Sequence, residues 1–66
     1  LRIRLNGEDI DLPDGSTIGT LLAGLSLPGG PVAVEVNREI VRRQDHETSI
    51  LRDGDRVEVV TLVGGG

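Results

Sequence analysis

Apolar and polar residues alternate over the first positions: Leu1, Ile3 and Leu5 fall on one side, Arg2 and Arg4 on the other. A period of two marks a strand with one buried face. Asn6-Gly7 follows, a pair that supplies the positive φ angles of a tight type I′ turn. Ile10 and Leu12 then return to the inward side, so residues 1–12 predict a β-hairpin. After "PDGST" at 13–17 the period changes. Ile18, Leu21, Leu22 and Leu25 recur at i, i+3, i+4 and i+7, one apolar stripe of a helix. Ser16 or Thr17 is placed to cap its start. Gly19 and Gly24 each weaken it by up to about 1 kcal/mol if interior, so this helix leans on packing. "LPGGP" at 27–31 ends it.

Alternation resumes in "VAVEVN" at 32–37, with Val32, Val34 and Val36 on one face, and "EIVRR" at 39–43 predicts a short fourth strand. "QDHETSIL" has no period and reads as a loop with one helical turn, and "RDGD" at 52–55 as a turn. "RVEVVTLV" at 56–63 predicts the last strand. Val57, Val59, Thr61 and Val63 form its inward set; Glu58, Val60 and Leu62 face out. A single helix covers only one sheet face. The open face is therefore expected to be charged at its edge, with Arg2 and Arg4 beside the last strand, and apolar toward Val60 and Leu62. Clustered exposed apolar residues mark a contact surface.

At 66 residues the chain is one domain. A chain of this size buries only about 60% of its unfolded surface, so the core is thin. No apolar run approaches a membrane span and no secretory leader is visible, so a soluble cytoplasmic protein is expected. The net charge of −4 argues against nucleic acid and for a partner with a basic surface. Aromatic residues are absent, which removes any stacking platform for bases or sugars.

Little is left for an enzyme. There is no cysteine, hence no thiolate nucleophile, disulfide or cysteine metal site. His46 is the only histidine; it is read as part of a polar loop, and no metal site is expected. All seven cations are arginine. The eleven acids are spread over turns and polar strand faces rather than paired. Asp53-Gly54-Asp55 lacks the spacing of a calcium loop and is read as a turn. Gly29-Gly30 lacks the lysine and hydroxyl residue of a phosphate loop. What remains is the end of the chain, where a strand leads into Gly64, Gly65 and Gly66.

Assembled in this order, the chain resembles the β-grasp, or ubiquitin-like, fold, and within it the thiamine-pathway sulfur-carrier proteins. "LNGEDIDLPDGSTIGTLLAGL" is similar to their opening hairpin and helix, "VAVEVNREIVRR" to their middle strand pair, and "LRDGDRVEVVTLVGGG" to their last turn, strand and tail. The resemblance implies an α+β fold: a mixed sheet of four to five strands with one helix on one face. It implies a β-grasp domain over 1–63 and a flexible glycine tail over 64–66.

The resemblance also implies a role. An ATP-dependent adenylyltransferase, similar to ubiquitin-activating enzymes, adenylates the terminal carboxylate of Gly66. A persulfide sulfur donor displaces AMP and leaves a thiocarboxylate. Thiazole synthase uses that sulfur to build the thiazole of thiamine. The carrier is a co-substrate rather than an enzyme and binds no cofactor; the activating enzyme uses ATP and Mg²⁺. Gly64 and Gly65 form the rest of the threaded tail, and Gly64 is expected as a spacer where two glycines suffice. Glycine suits such a tail because it has no side chain to obstruct a channel and adopts backbone angles closed to other residues. Ordering the tail costs about 1–2 kcal/mol per residue, which binding of the globular body must offset. Val60 and Leu62 are the expected apolar contacts, with Glu58, Arg2 and Arg4 setting register. Carriers of this tail also serve molybdopterin, cysteine and specialised-metabolite pathways. Two other readings remain open on the residues: a β-grasp interaction module ending in a linker, and a ubiquitin-like modifier.

Overall fold

The computed structural model describes residues 1–62. It contains β1 (Arg2–Leu5), β2 (Glu8–Asp11), α1 (Ile18–Ala23), β3 (Val32–Val36), β4 (Glu39–Val41), a single 3₁₀ turn (Arg43–Asp45) and β5 (Arg56–Thr61). The strands form one sheet in the order β2-β1-β5-β3-β4. β5 runs parallel to β1; the other neighbours are antiparallel. The helix covers one face, and the other stays open.

The first hairpin has the expected inward and outward sets. Ile3 pairs with Ile10 across it, and both turn residues carry positive φ, 48° at Asn6 and 86° at Gly7. The second hairpin, β3–β4, uses the same mirror-image turn at Asn37 (φ 52°) and Arg38 (φ 70°). Sequence pattern does not announce that turn, because arginine is a poor occupant of the left-handed region.

The helix is shorter than its apolar stripe. It ends at Ala23, with Gly24 as its C-cap, so Leu25 packs on the core from outside the helix. Thr17, rather than Ser16, is the cap. The Thr20 N–H donates to Thr17 Oγ1 at 3.1 Å, and the Thr17 N–H donates to Thr20 Oγ1 at 2.8 Å. This is a capping box with threonine in the place usually held by glutamate. Ser16 is buried instead, and its hydroxyl donates to the Pro13 carbonyl at 2.7 Å.

The core is Ile3, Ile18, Leu21, Val34, Leu51, Val57 and Val59. Opposite residues on the inner face are Val36 with Val57, Val34 with Val59 and Val32 with Thr61. Leu51 comes from a segment without period. It is pulled inward because residues 49–51 run antiparallel to residues 16–18. The Leu51 N–H donates to the Ser16 carbonyl at 2.8 Å, and the Ile18 N–H donates to the Ser49 carbonyl at 3.1 Å.

Residues 44–51 form a loop with one helical turn, the 3₁₀ segment, but His46 is not the polar loop residue expected. It is only 7% exposed. Its Nε2 donates to the Val41 carbonyl at 3.0 Å, and its own carbonyl accepts from the Gly19 N–H at 2.8 Å. The ring thus ties the 3₁₀ segment to β4, and the backbone ties it to α1. The fourth strand ends at Val41 rather than Arg43 because the chain turns into this 3₁₀ segment.

Candidate functional site

The site of interest is the end of β5. Thr61 is the last strand residue, opposite Val32. The Leu62 N–H donates to the Pro31 carbonyl at 2.9 Å, so β3 and its lead-in hold the chain up to that point. Val63, Gly64, Gly65 and Gly66 lie outside the described residues, and with them the expected inward place of Val63, the 63/64 domain boundary and the flexible tail.

On its other side β5 outruns its neighbour. β1 pairs with β5 only through Arg4 opposite Arg56 and Leu5 opposite Val57. Beyond Leu5 the chain turns, and the side chain of Asn6 takes over. The Val59 N–H donates to Asn6 Oδ1 at 2.8 Å, and Asn6 Nδ2 donates to the Val59 carbonyl at 3.2 Å. The Asn6 N–H also donates to the Val57 carbonyl at 2.9 Å. One asparagine therefore shapes the hairpin turn and steadies the strand that leads to the tail. The Asn-Gly pair signalled only the first role.

Val60 and Leu62 are 54% and 56% exposed, among the few large apolar residues in solvent. Val60 lies opposite Ala33 on the open face. Glu58 is on the same face, opposite Glu35. The two arginines are not brought to this end. Arg4 is level with Arg56, four residues before Val60, or about 13 Å along the strand. Arg2 is farther still, its carbonyl accepting from the Gly54 N–H.

Both arginines are already paired with β2. Arg2 Nε donates to Asp11 Oδ1 at 2.9 Å and Nη2 to Asp11 Oδ2 at 3.3 Å; Arg4 Nε donates to Asp9 Oδ1 at 3.3 Å. The hydrogen bond from Arg2, with its charge, holds the Asp11 carboxyl below the ordinary aspartate value, and the same hydrogen bond raises Arg2. The open face thus carries a charged end made by β2 and β1 and an apolar end made by Ala33, Val60 and Leu62. Between them sit two like-charge neighbours, Arg4 with Arg56 and Glu35 with Glu58. Like charges directly opposite destabilise a sheet, so stability does not account for these two pairs.

Among the described residues no cluster of histidine, aspartate or glutamate is arranged to hold a metal ion. No helix among them is long and apolar enough to cross a membrane.

Comparison with known proteins bears on the tail directly. Residues 3–66 match the ThiS family. The chain is 40% identical to the sulfur carrier protein ThiS of Bacillus subtilis over 65 residues, covering 97% of this chain and 98% of that protein. It is 39% identical over 66 residues to a thiazole synthase of Magnetococcus marinus, and there it spans only 20% of the longer protein's length. The fold is similar to the crystal structure of a thiamine biosynthesis protein, ThiS, from Geobacter metallireducens, with a TM-score of 0.84, 28% identity and full coverage of both chains. The five-stranded mixed sheet with one helix is thus the β-grasp fold, and with the match running through the last strand and all three glycines, the chain belongs to the ThiS family.

Proposed function

We propose that this chain carries sulfur for thiamine biosynthesis as a thiocarboxylate on Gly66. The observation that supports this most is the family match, which continues past β5 through Gly64–Gly66. A carboxylate is a poor electrophile because its charge is delocalised. Attack of its oxygen on the α-phosphorus of ATP expels pyrophosphate and gives an acyl adenylate with a good leaving group. A persulfide sulfur then attacks the acyl carbon and AMP departs. Cleavage of the resulting S–S bond by a second thiol leaves the thiocarboxylate. All catalysis belongs to the partners; this chain supplies the acyl group and the surface that presents it.

The partners follow from the chemistry. An adenylyltransferase of the ubiquitin-activating kind supplies the ATP and Mg²⁺ site, where charge on the transferring phosphoryl group is stabilised. A persulfide enzyme supplies sulfur, and thiazole synthase consumes it. The likeness of the whole chain to one-fifth of a protein named thiazole synthase supports that last partner. Val60 and Leu62 form the docking patch beside the tail, with Glu58 at its border. Arg4 and Arg56 contribute steering at the far end, where exposed charges act on association rate more than on affinity.

The test is deletion of Gly66. The new terminus stops about 3.5 Å short of the adenylation site, and misplacement by about 1 Å already costs on the order of 100-fold in rate. ATP–pyrophosphate exchange with the activating enzyme should vanish while circular dichroism is unchanged. Exchange at the normal rate would refute the assignment of Gly66.

A further inference from the structure

A second concavity lies on the helix side of the sheet, next to the end of β5. It is a cleft of about 540 Å³ lined by Leu22 of α1, by Gly30, Pro31 and Val32 at the start of β3, and by Arg43 and His46 of the 3₁₀ segment. We propose that this cleft is a second docking surface, and that it takes a carboxylate side chain, flanked by aliphatic ones, from the enzyme that activates the tail. The inference rests on the carrier reading and adds to it the chemistry of a partner contact.

Charge complementarity identifies the occupant. Leu22, Pro31 and Val32 give the lining its apolar part, and Arg43, an exposed residue, gives it a cation. Among the described residues Arg43 has no carboxylate within salt-bridge distance, although the chain as a whole has an excess of acids. The carboxylate of Glu47, four residues on, lies against Gly19, 2.7 Å from where a β-carbon would stand, and makes no ion pair with Arg43. Nothing within the described chain therefore neutralises Arg43. A guanidinium beside an apolar wall favours a carboxylate that it can engage through two parallel hydrogen bonds.

The cleft is also built to stay in place and stay open. His46 is locked by its hydrogen bond to the Val41 carbonyl, so its ring forms a fixed wall. Gly30 adopts a φ of +109°, which disfavours any side chain there, so none overhangs the opening. This accounts for Gly30, the second glycine of a pair that has no phosphate-binding role.

Position supplies the link to function. Pro31 lines the cleft and its carbonyl holds the Leu62 N–H. An enzyme that encloses the residues after Leu62 therefore passes beside Pro31, which lines the same cleft as Arg43. The open-face patch at Val60 and Leu62 and this cleft would then flank the root of the tail from opposite sides of the sheet.

The experiment is a binding titration of the full chain with the activating enzyme of the same organism, at low and moderate salt. Arg43→Glu should weaken Kd by about tenfold or more and flatten its salt dependence, while Arg43→Lys, which keeps the charge but loses the paired hydrogen bonds, should fall between the wild type and Arg43→Glu. Arg43 acts in the fold through its backbone carbonyl, which accepts from the His46 N–H, so both variants should fold, as circular dichroism would check. Unchanged affinity and salt dependence for Arg43→Glu, with adenylation intact, overturns the cleft alone. A wild-type chain that is neither bound nor adenylated overturns the carrier reading and the cleft together.

Discussion

β5 carries two different surfaces one residue apart. Val57 and Val59 point into the core and are buried; Glu58 and Val60 point to the open face and are exposed. The inner set is chemically uniform, and each member sits opposite another core-facing residue of β3. The outer set mixes acid, base and apolar side chains, and it places like charges side by side. The inner face is explained by burial. The like-charge neighbours and exposed apolar residues of the outer face are not explained by stability, and that is the physical ground for reading this part of it as a surface kept for a partner.

The sharpest way to break this contrast is to truncate the core. Leu21→Ala should cost about 2–5 kcal/mol, the range for a buried leucine, and a large share of what so small a domain has. Chemical denaturation would show it, with Glu58→Ala as the outer-face control shifting by no more than about 0.5 kcal/mol. Equal midpoints would mean that the inner face is misassigned.

Asn6→Ala comes next. It removes both side-chain hydrogen bonds to Val59, leaving the β1-side edge of β5 unpaired at that residue while β3 still holds the other edge. A loss of about 1–3 kcal/mol is expected, with faster amide exchange at Val59 as the local readout. Unaltered exchange there would show that the strand end holds itself.

A smaller effect has the opposite sign. Arg38 sits at φ 70°, where an L-residue with a side chain is strained. Arg38→Gly should stabilise by up to about 1 kcal/mol, the order of the left-handed penalty. A destabilised variant would assign Arg38 a contact that outweighs its strain.

The smallest effect concerns pH. The Asp11 carboxyl is held below its unfolded value by Arg2. Its contribution is therefore complete above the unfolded aspartate value, about 3.9, and is lost as pH falls through the lower folded value. The pair is exposed, so Asp11→Asn should lower stability only slightly at neutral pH, and that small difference from the wild type should disappear as pH falls through the folded Asp11 value. A large change at neutral pH would mean that the charged end of the open face is structural after all.

How much of this the sequence carried depends on the range of the interaction concerned. The first hairpin was legible because alternation and Asn-Gly act between neighbours along the chain. The inward and outward sets of β5 were legible for the same reason. Leu51 and His46 were not. Leu51 is buried by pairing of residues 49–51 with residues 16–18, a contact between distant segments with no periodic mark. His46 is polar, and only the Val41 carbonyl, brought near by the turn after β4, makes its burial affordable. The candidate site divides likewise. Val60 and Leu62 were placed in solvent by parity alone, whereas the separation of Arg2 and Arg4 from them required the register between β1 and β5. The Arg43 cleft gathers three segments, so no local pattern announces it.

The central claim is that the tail after β5 ends in a carboxylate that exchanges oxygen for sulfur. Intact mass spectrometry tests it most directly. The chain ending at Gly66 is incubated with the activating enzyme, ATP, Mg²⁺ and a persulfide donor. The account predicts a mass gain equal to replacing one oxygen by sulfur, confined by fragmentation to Gly66 and dependent on ATP. A mass that stays unchanged while the activating enzyme turns over its own established carrier would contradict it.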